Sequence, residues 1–158
     1  METRLTVELV PSTCWYTNVR SHVPKAVWDR LRRQVAAEAG DRCEICGGRG
    51  RRWPVECHEV WHYDDERKVQ RLDRLAALCP ACHEAERAGL ASKRGRLSQV
   101  ITHLAQVNGW SPDDAALYLE AVFETWASPS RHEWTLDISL LTTRYGITDA
   151  DRCGGGPD

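Results

Sequence analysis

The chain is 158 residues long and 42% hydrophobic, which suits one folding unit with a core of its own rather than a string of domains. Its net charge of −2 conceals opposed ends: Arg20 to Arg52 carries nine Lys/Arg against four Asp/Glu, a surplus of +5, and Ser111 to the end carries three against nine, or −6. No run of about 18 apolar residues occurs, and METRLTVELV has no basic stretch leading into an apolar one; a membrane span is excluded, and a soluble, cytoplasmic protein is expected.

In chain order, LTVELV at 5–10 is β-rich and stops at Pro11, which predicts a strand or extended lead-in. The STCWYTNVRSHV that follows has no readable period, and Trp15 and Tyr16 are expected to pack on the body. Pro24 suits the first turn of a helix running to about Ala39, with Val27, Leu31 and Val35 on one stripe and Gly40 as its stop. WPVECHEVW at 53–61 predicts a strand entering a turn or second strand, and DDERKVQRL at 64–72 a loop or helical turn. LAALCPACHEAERAGL at 75–90 is an apolar approach to a helix from about Pro80 to Gly89.

A further helix, LSQVITHLAQVNG at 97–109, should end at Asn108-Gly109. Ser111 then caps the next, with Pro112 at its first position and Asp113 and Asp114 on its positive end. Leu117, Leu119, Val122, Phe123 and Trp126 mark that helix as mostly core. HEWTLDISLL at 132–141 predicts a short strand or extended segment. The predicted layout is an N-terminal extension at 1–23, a core at 24–92, a C-terminal helical extension packed on it at 93–150, and a disordered tail at 151–158.

Seven cysteines is an odd number, and four fall in two C-x-x-C pairs, Cys43/Cys46 and Cys79/Cys82. In a reducing compartment that pattern favours a metal over disulfides, since four thiolates at such spacing satisfy a tetrahedral zinc ion. The glycines after Cys46 let backbone amides turn toward the sulfurs. The 32 residues between the pairs exceed a minimal zinc ribbon, so a folded element must lie inside the gap. Of the other cysteines, Cys57 reads as a buried strand residue or a further ligand, Cys14 as packing, and Cys153 as part of the tail.

The gap contains CHEVWHYDDE at 57–66. Its H-E-x-x-H would be a metalloprotease zinc motif if both histidines lay one turn apart on a helix. Pro54, Val55, Val60 and Trp61 surround it with strand-forming residues instead, which argues against a protease. Asp64, Asp65 and Glu66 could hold a divalent ion or form a solvated turn, and His62 could be an auxiliary ligand or simply face solvent.

Taken together, CEIC at 43–46, VECHEVW at 55–61 and LCPACH at 78–83 resemble the HNH, or His-Me finger, endonucleases of the type with a cysteine-bound zinc. The resemblance spans about residues 24–90. It implies an α+β fold with a ββα-metal core, held by structural zinc on Cys43, Cys46, Cys79 and Cys82 and flanked by an N-terminal helix and C-terminal helices. A second, catalytic divalent ion, Mg²⁺ or another, would bind between hairpin and helix. The implied chemistry is DNA phosphodiester hydrolysis, a hairpin histidine taking a proton from water while the ion neutralises charge on the phosphate.

On this resemblance His58 fills the hairpin role and His83 is a ligand of the catalytic ion. Two registers stay open. Either His58 is the base, or His58 is a ligand and Glu59 stands where the base would be. Arg74 replaces the family's middle asparagine and Arg87 a further histidine, so the motif is degenerate. The alternative is a catalytically inactive zinc module that binds nucleic acid or a protein partner, docking through its acidic C-terminal half.

Arg49, Arg51 and Arg52 beside the first pair, and Lys93, Arg94 and Arg96 after the predicted catalytic helix, could flank one groove and contact phosphates. DNA is the expected partner, with RNA second, and no membrane. Most of the seven tryptophans are expected to be core rather than base-stacking.

Overall fold

The structure, a computed structural model, describes residues 3–8, 10, 14, 18–126 and 133–152. The expectations for Trp15, Tyr16, the Trp126 side chain, Cys153 and the rest of the tail lie outside what it describes.

A single 3-10 turn, Val19–His22, is capped by the Asn18 carboxamide accepting from the Ser21 N–H, and leads to α1, Lys25–Glu38. Leu31 and Val35 are buried on the stripe read from the sequence, and Gly40, at φ +64°, ends the helix in the left-handed conformation that glycine tolerates best. Strands β1, Glu56–Asp64, and β2, Val69–Leu78, form an antiparallel hairpin. Its turn is fixed by the Asp64 carboxylate, which accepts the Glu66 and Arg67 N–H groups at 3.1 and 3.0 Å. Asp64 therefore caps a turn, and His62 is exposed.

Helices α2, Pro80–Glu86, α3, Ala88–Lys93, α4, Leu97–Asn108, and α5, Pro112–Trp126, follow. The helix expected to continue to Gly89 breaks at Arg87. A short strand β3, Thr135–Asp137, lies parallel beside β2, giving a three-stranded sheet in the order β1-β2-β3. Helices α6, Leu140–Thr143, and α7, Asp149–Arg152, extend regular structure to Arg152, past the predicted start of the tail.

DDERKVQRL is not a loop throughout: from Val69 it is β2. Gln70 and Leu72 are buried while Arg71 and Asp73 are exposed, the two-residue period of a strand with one wet face. A bulge then interrupts it. Val60 pairs with Arg74 and Trp61 with Leu72, leaving Asp73 as the extra residue and resetting the alternation.

Beyond the bulge, Leu75 and Ala77 face one hydrophobic cluster with α1 and α6, while Ala76 and Leu78 face another with α2, α4 and α5. The hairpin is thus a middle layer between two sets of helices. Leu119, Val122 and Phe123 of α5 join the second cluster, but Leu117 is 62% exposed and is not core. Trp28, Trp61 and Trp110 pack against the clusters, whereas Trp53 is 47% exposed.

The N-terminal segment is an extended lead-in, and among the described residues it pairs with no strand. The buried Asn108 carboxamide satisfies it, accepting the Arg4 and Leu5 N–H groups and donating to the Leu5 carbonyl, each at 2.9 Å. Val7 N–H then donates to the Tyr118 hydroxyl and Glu8 N–H to the Glu86 carbonyl, which lays Glu8 along α2.

Candidate functional site

Cys43, Cys46, Cys79 and Cys82 bring their sulfurs within 4.8 Å of one another, although 32 residues separate the pairs. The Cys46–Cys79 separation of 3.7 Å is close to the edge, about 3.8 Å, of a tetrahedron with zinc–sulfur bonds of about 2.3 Å. Backbone N–H groups of Cys46, Gly48 and Cys82 point at the sulfurs of Cys43, Cys46 and Cys79 at 3.5, 3.3 and 3.5 Å. Such donors favour thiolate. The four residues are positioned to hold a metal ion, and an all-sulfur tetrahedral set fits zinc.

Bonding from the Cys82 thiol holds the Cys43 thiol below its ordinary value, while burial raises that of Cys79. His103, in the middle of α4, places Nε2 3.1 Å from the Cys82 sulfur, a contact with no signal in the sequence beyond one polar residue on an amphipathic helix. Gly50 allows the knuckle to close on α2: a Cβ there would lie 2.3 Å from the Trp53 carbonyl oxygen and 2.7 Å from Pro80.

The hairpin histidine and the helix histidine meet. His58 shares the α2-facing side of β1 with Val60, and its ring centroid lies 5.0 Å from that of His83 in an edge-to-face arrangement. Cys57 and Trp61 pack toward α1 on the opposite side, where burial pushes the Cys57 thiol up to about 12. Glu59 shares that side, accepting the Val19 N–H at 2.6 Å, and burial pushes its carboxyl up. Because β1 is an edge strand, both sides still reach one cavity of about 210 Å³, where His58, Glu59 and His83 are joined by Glu8, Asn18 and Arg87.

Each histidine rests on a carboxylate that the sequence reading missed. His58 Nε2 is 3.0 Å from Glu8 Oε1, and His83 Nδ1 is 3.0 Å from Glu56 Oε1. The second contact holds the Glu56 carboxyl below its usual range. Glu56 lies two residues before His58, on the same strand side, and also accepts the indole N–H of Trp53 at 3.1 Å. Behind His58, Glu86 is 6% exposed; burial and the neighbouring Glu8 push its carboxyl up to about 8.

The basic residues do not flank a single groove. Arg49 and Arg51 line a cavity of about 570 Å³ over Cys46, Cys79 and His103, while Arg94 lines another of about 280 Å³ with Glu56 and His83. Pro80 lines both of these, and His83 and Arg87 line both the second and the histidine cavity. Arg52 and Lys93 are exposed, and Arg96 is paired with Glu84 at 2.6 Å. Arg74 turns away from the histidines into an ion pair with Glu44.

No helix among the described residues is long and apolar enough to cross a membrane. Comparison with known proteins yields no matching family model, no matching curated protein and no matching solved structure.

Proposed function

We propose that the chain is a metal-dependent HNH-like endonuclease or nickase that hydrolyses DNA phosphodiester bonds. The observation that carries this reading is the pairing of His58 on β1 with His83 on α2, ring centroids 5.0 Å apart, in a cavity beside the four-cysteine cluster. A hairpin followed by a helix, with zinc on Cys43, Cys46, Cys79 and Cys82 tying them together, supports a ββα-metal core. A divalent ion in the cavity would neutralise charge on the scissile phosphate while a histidine accepts a proton from water.

The side of β1 that each residue occupies supports His58 over Glu59 as the hairpin residue that meets His83. Arg94 and Arg87, which line the cavity shared with His83, support phosphate contact beside the histidines.

The second reading, an inactive zinc module that binds nucleic acid or a protein, is favoured by the carboxylates seated on His58 and His83 and by Arg74 facing elsewhere. Supercoiled plasmid incubated with purified protein and Mg²⁺, Mn²⁺ or Ni²⁺ separates the two. Wild type should nick or linearise it, and His58→Ala and His83→Ala should be slower by roughly a hundredfold or more, the typical contribution of a positioned proton-transfer group. Equal conversion by all three proteins, or none on any DNA or RNA substrate, would sink the nuclease reading.

A further inference from the structure

We propose that Glu8, His58 and Glu86 form a divalent-cation site that takes Mn²⁺ or Mg²⁺, with the N-terminal segment supplying one of its ligands. One donor atom from each lies within 4.8 Å of the other two. The residues come from three places far apart in the chain: the N-terminal segment, β1 and the last turn of α2.

The separations suit a cation. Two adjacent ligands of an octahedral ion, each at about 2.1 Å, sit about 3.0 Å apart, and the His58 Nε2–Glu8 Oε1 distance is 3.0 Å. Two carboxylate oxygens and one imidazole nitrogen form a mostly hard donor set, which fits Mn²⁺ and Mg²⁺ better than the sulfur cluster does.

The site is also built rather than accidental. His58 is 3% exposed and Glu86 6%. The backbone bond from Glu8 N–H to the Glu86 carbonyl, 2.9 Å, sets the two carboxylates side by side. Like charges brought together out of water are unfavourable unless a proton or a cation lies between them. The cavity lined by Glu8 and His58 leaves space of about 210 Å³ for water ligands and an incoming phosphate.

This deepens the nuclease reading, on which it rests only for the cation's use in catalysis. His58 becomes a ligand, and the His83–Glu56 pair is left as the proton-accepting group, oriented by its carboxylate in the usual way.

The test uses the full chain with its cysteine-bound zinc in place and Mn²⁺ alone as probe, free Mn²⁺ being counted by its electron paramagnetic resonance signal. Wild type should bind one Mn²⁺ per chain. Glu8→Gln and Glu86→Gln should each weaken that binding by roughly tenfold or more, at least the effect of removing an outer-shell partner, and His83→Ala should leave it unchanged. Zinc content and circular dichroism report folding; if Glu86→Gln loses its zinc, Glu8→Gln on the peripheral segment decides. No Mn²⁺ bound at millimolar concentration, wild-type affinity in the folded Gln variants, or loss of binding in His83→Ala would each overturn the site. Binding without plasmid cleavage leaves the site standing and removes the nuclease reading. Cleavage that ignores Glu8 and Glu86 does the reverse.

Discussion

His58 and Glu59 are neighbours in sequence and lie on opposite sides of one strand, so their chemistry diverges. His58 faces α2 and carboxylates; Glu59 is enclosed on the α1 side and holds the Val19 N–H at 2.6 Å. Burial dominates and raises the Glu59 carboxyl above its ordinary 4.5. A carboxyl with a raised folded-state value binds its proton more tightly folded than unfolded, so the folded state gains in acid and loses that gain as pH rises through the folded value. Glu59→Gln keeps an acceptor for Val19 and removes the buried charge. Wild type and variant should therefore differ least in melting temperature near pH 4 and diverge in the variant's favour toward neutral pH. Parallel melting curves from acid to neutral pH would show that Glu59 is not a strained buried carboxylate. On the nuclease reading the same variant should retain plasmid cleavage, since Glu59 is engaged by the Val19 N–H and not by either histidine.

At the scale of elements, what could be read in the sequence is what depends on near neighbours. α1, α4 and α5 carry a 3.6-residue apolar period and their own stop and start residues, and the cysteine pairs carry ligand spacing, so these are legible from short windows. β2 was hidden because it begins in a charged stretch and puts the polar Gln70 at a buried position, so its buried side shows no apolar period of two. Glu8 and His103 were hidden for another reason: their partners lie 50 and 21 residues away, and neither has a local pattern that marks it. Asn108 is the clearest case. As a helix end before Gly109 it was legible, but its second role, satisfying backbone groups of Arg4 and Leu5 more than 100 residues away, was not. Replacing it with Leu, similar in size but without hydrogen bonds, leaves three polar backbone groups unpaired. The expected cost is about 2–4 kcal/mol, at about 1 kcal/mol or somewhat more for each. Chemical denaturation measures it, and a change under about 0.5 kcal/mol, ordinary for a surface substitution, would mean the segment is not docked as described. Because that segment carries Glu8, the variant should also weaken Mn²⁺ binding.

Across the whole molecule the four-cysteine cluster is the point at which the layers are joined. Cys43 and Cys46 belong to the knuckle after α1, Cys79 ends the approach from β2, and Cys82 lies in α2, one residue before His83. Cys43, Cys79 and Cys82 are themselves part of the hydrophobic cluster shared with α4 and α5. A structural zinc ion contributes roughly 10–16 kcal/mol in small zinc-binding peptides, against total stabilities of about 5–15 kcal/mol for ordinary domains. The metal-free chain should therefore lose its cooperative fold rather than merely soften. Acid acts in the same direction, because protons compete with the ion for thiolates, so zinc retention should fall as pH is lowered. Treatment with a strong chelator should abolish the thermal transition seen by circular dichroism, and Cys82→Ser should reproduce the effect without chelator. A chelated protein that still melts cooperatively near the untreated temperature would remove zinc from the account of the fold. If the transition is lost, the proposed plasmid cleavage and Mn²⁺ binding should vanish with it, because α2 carries both His83 and Glu86.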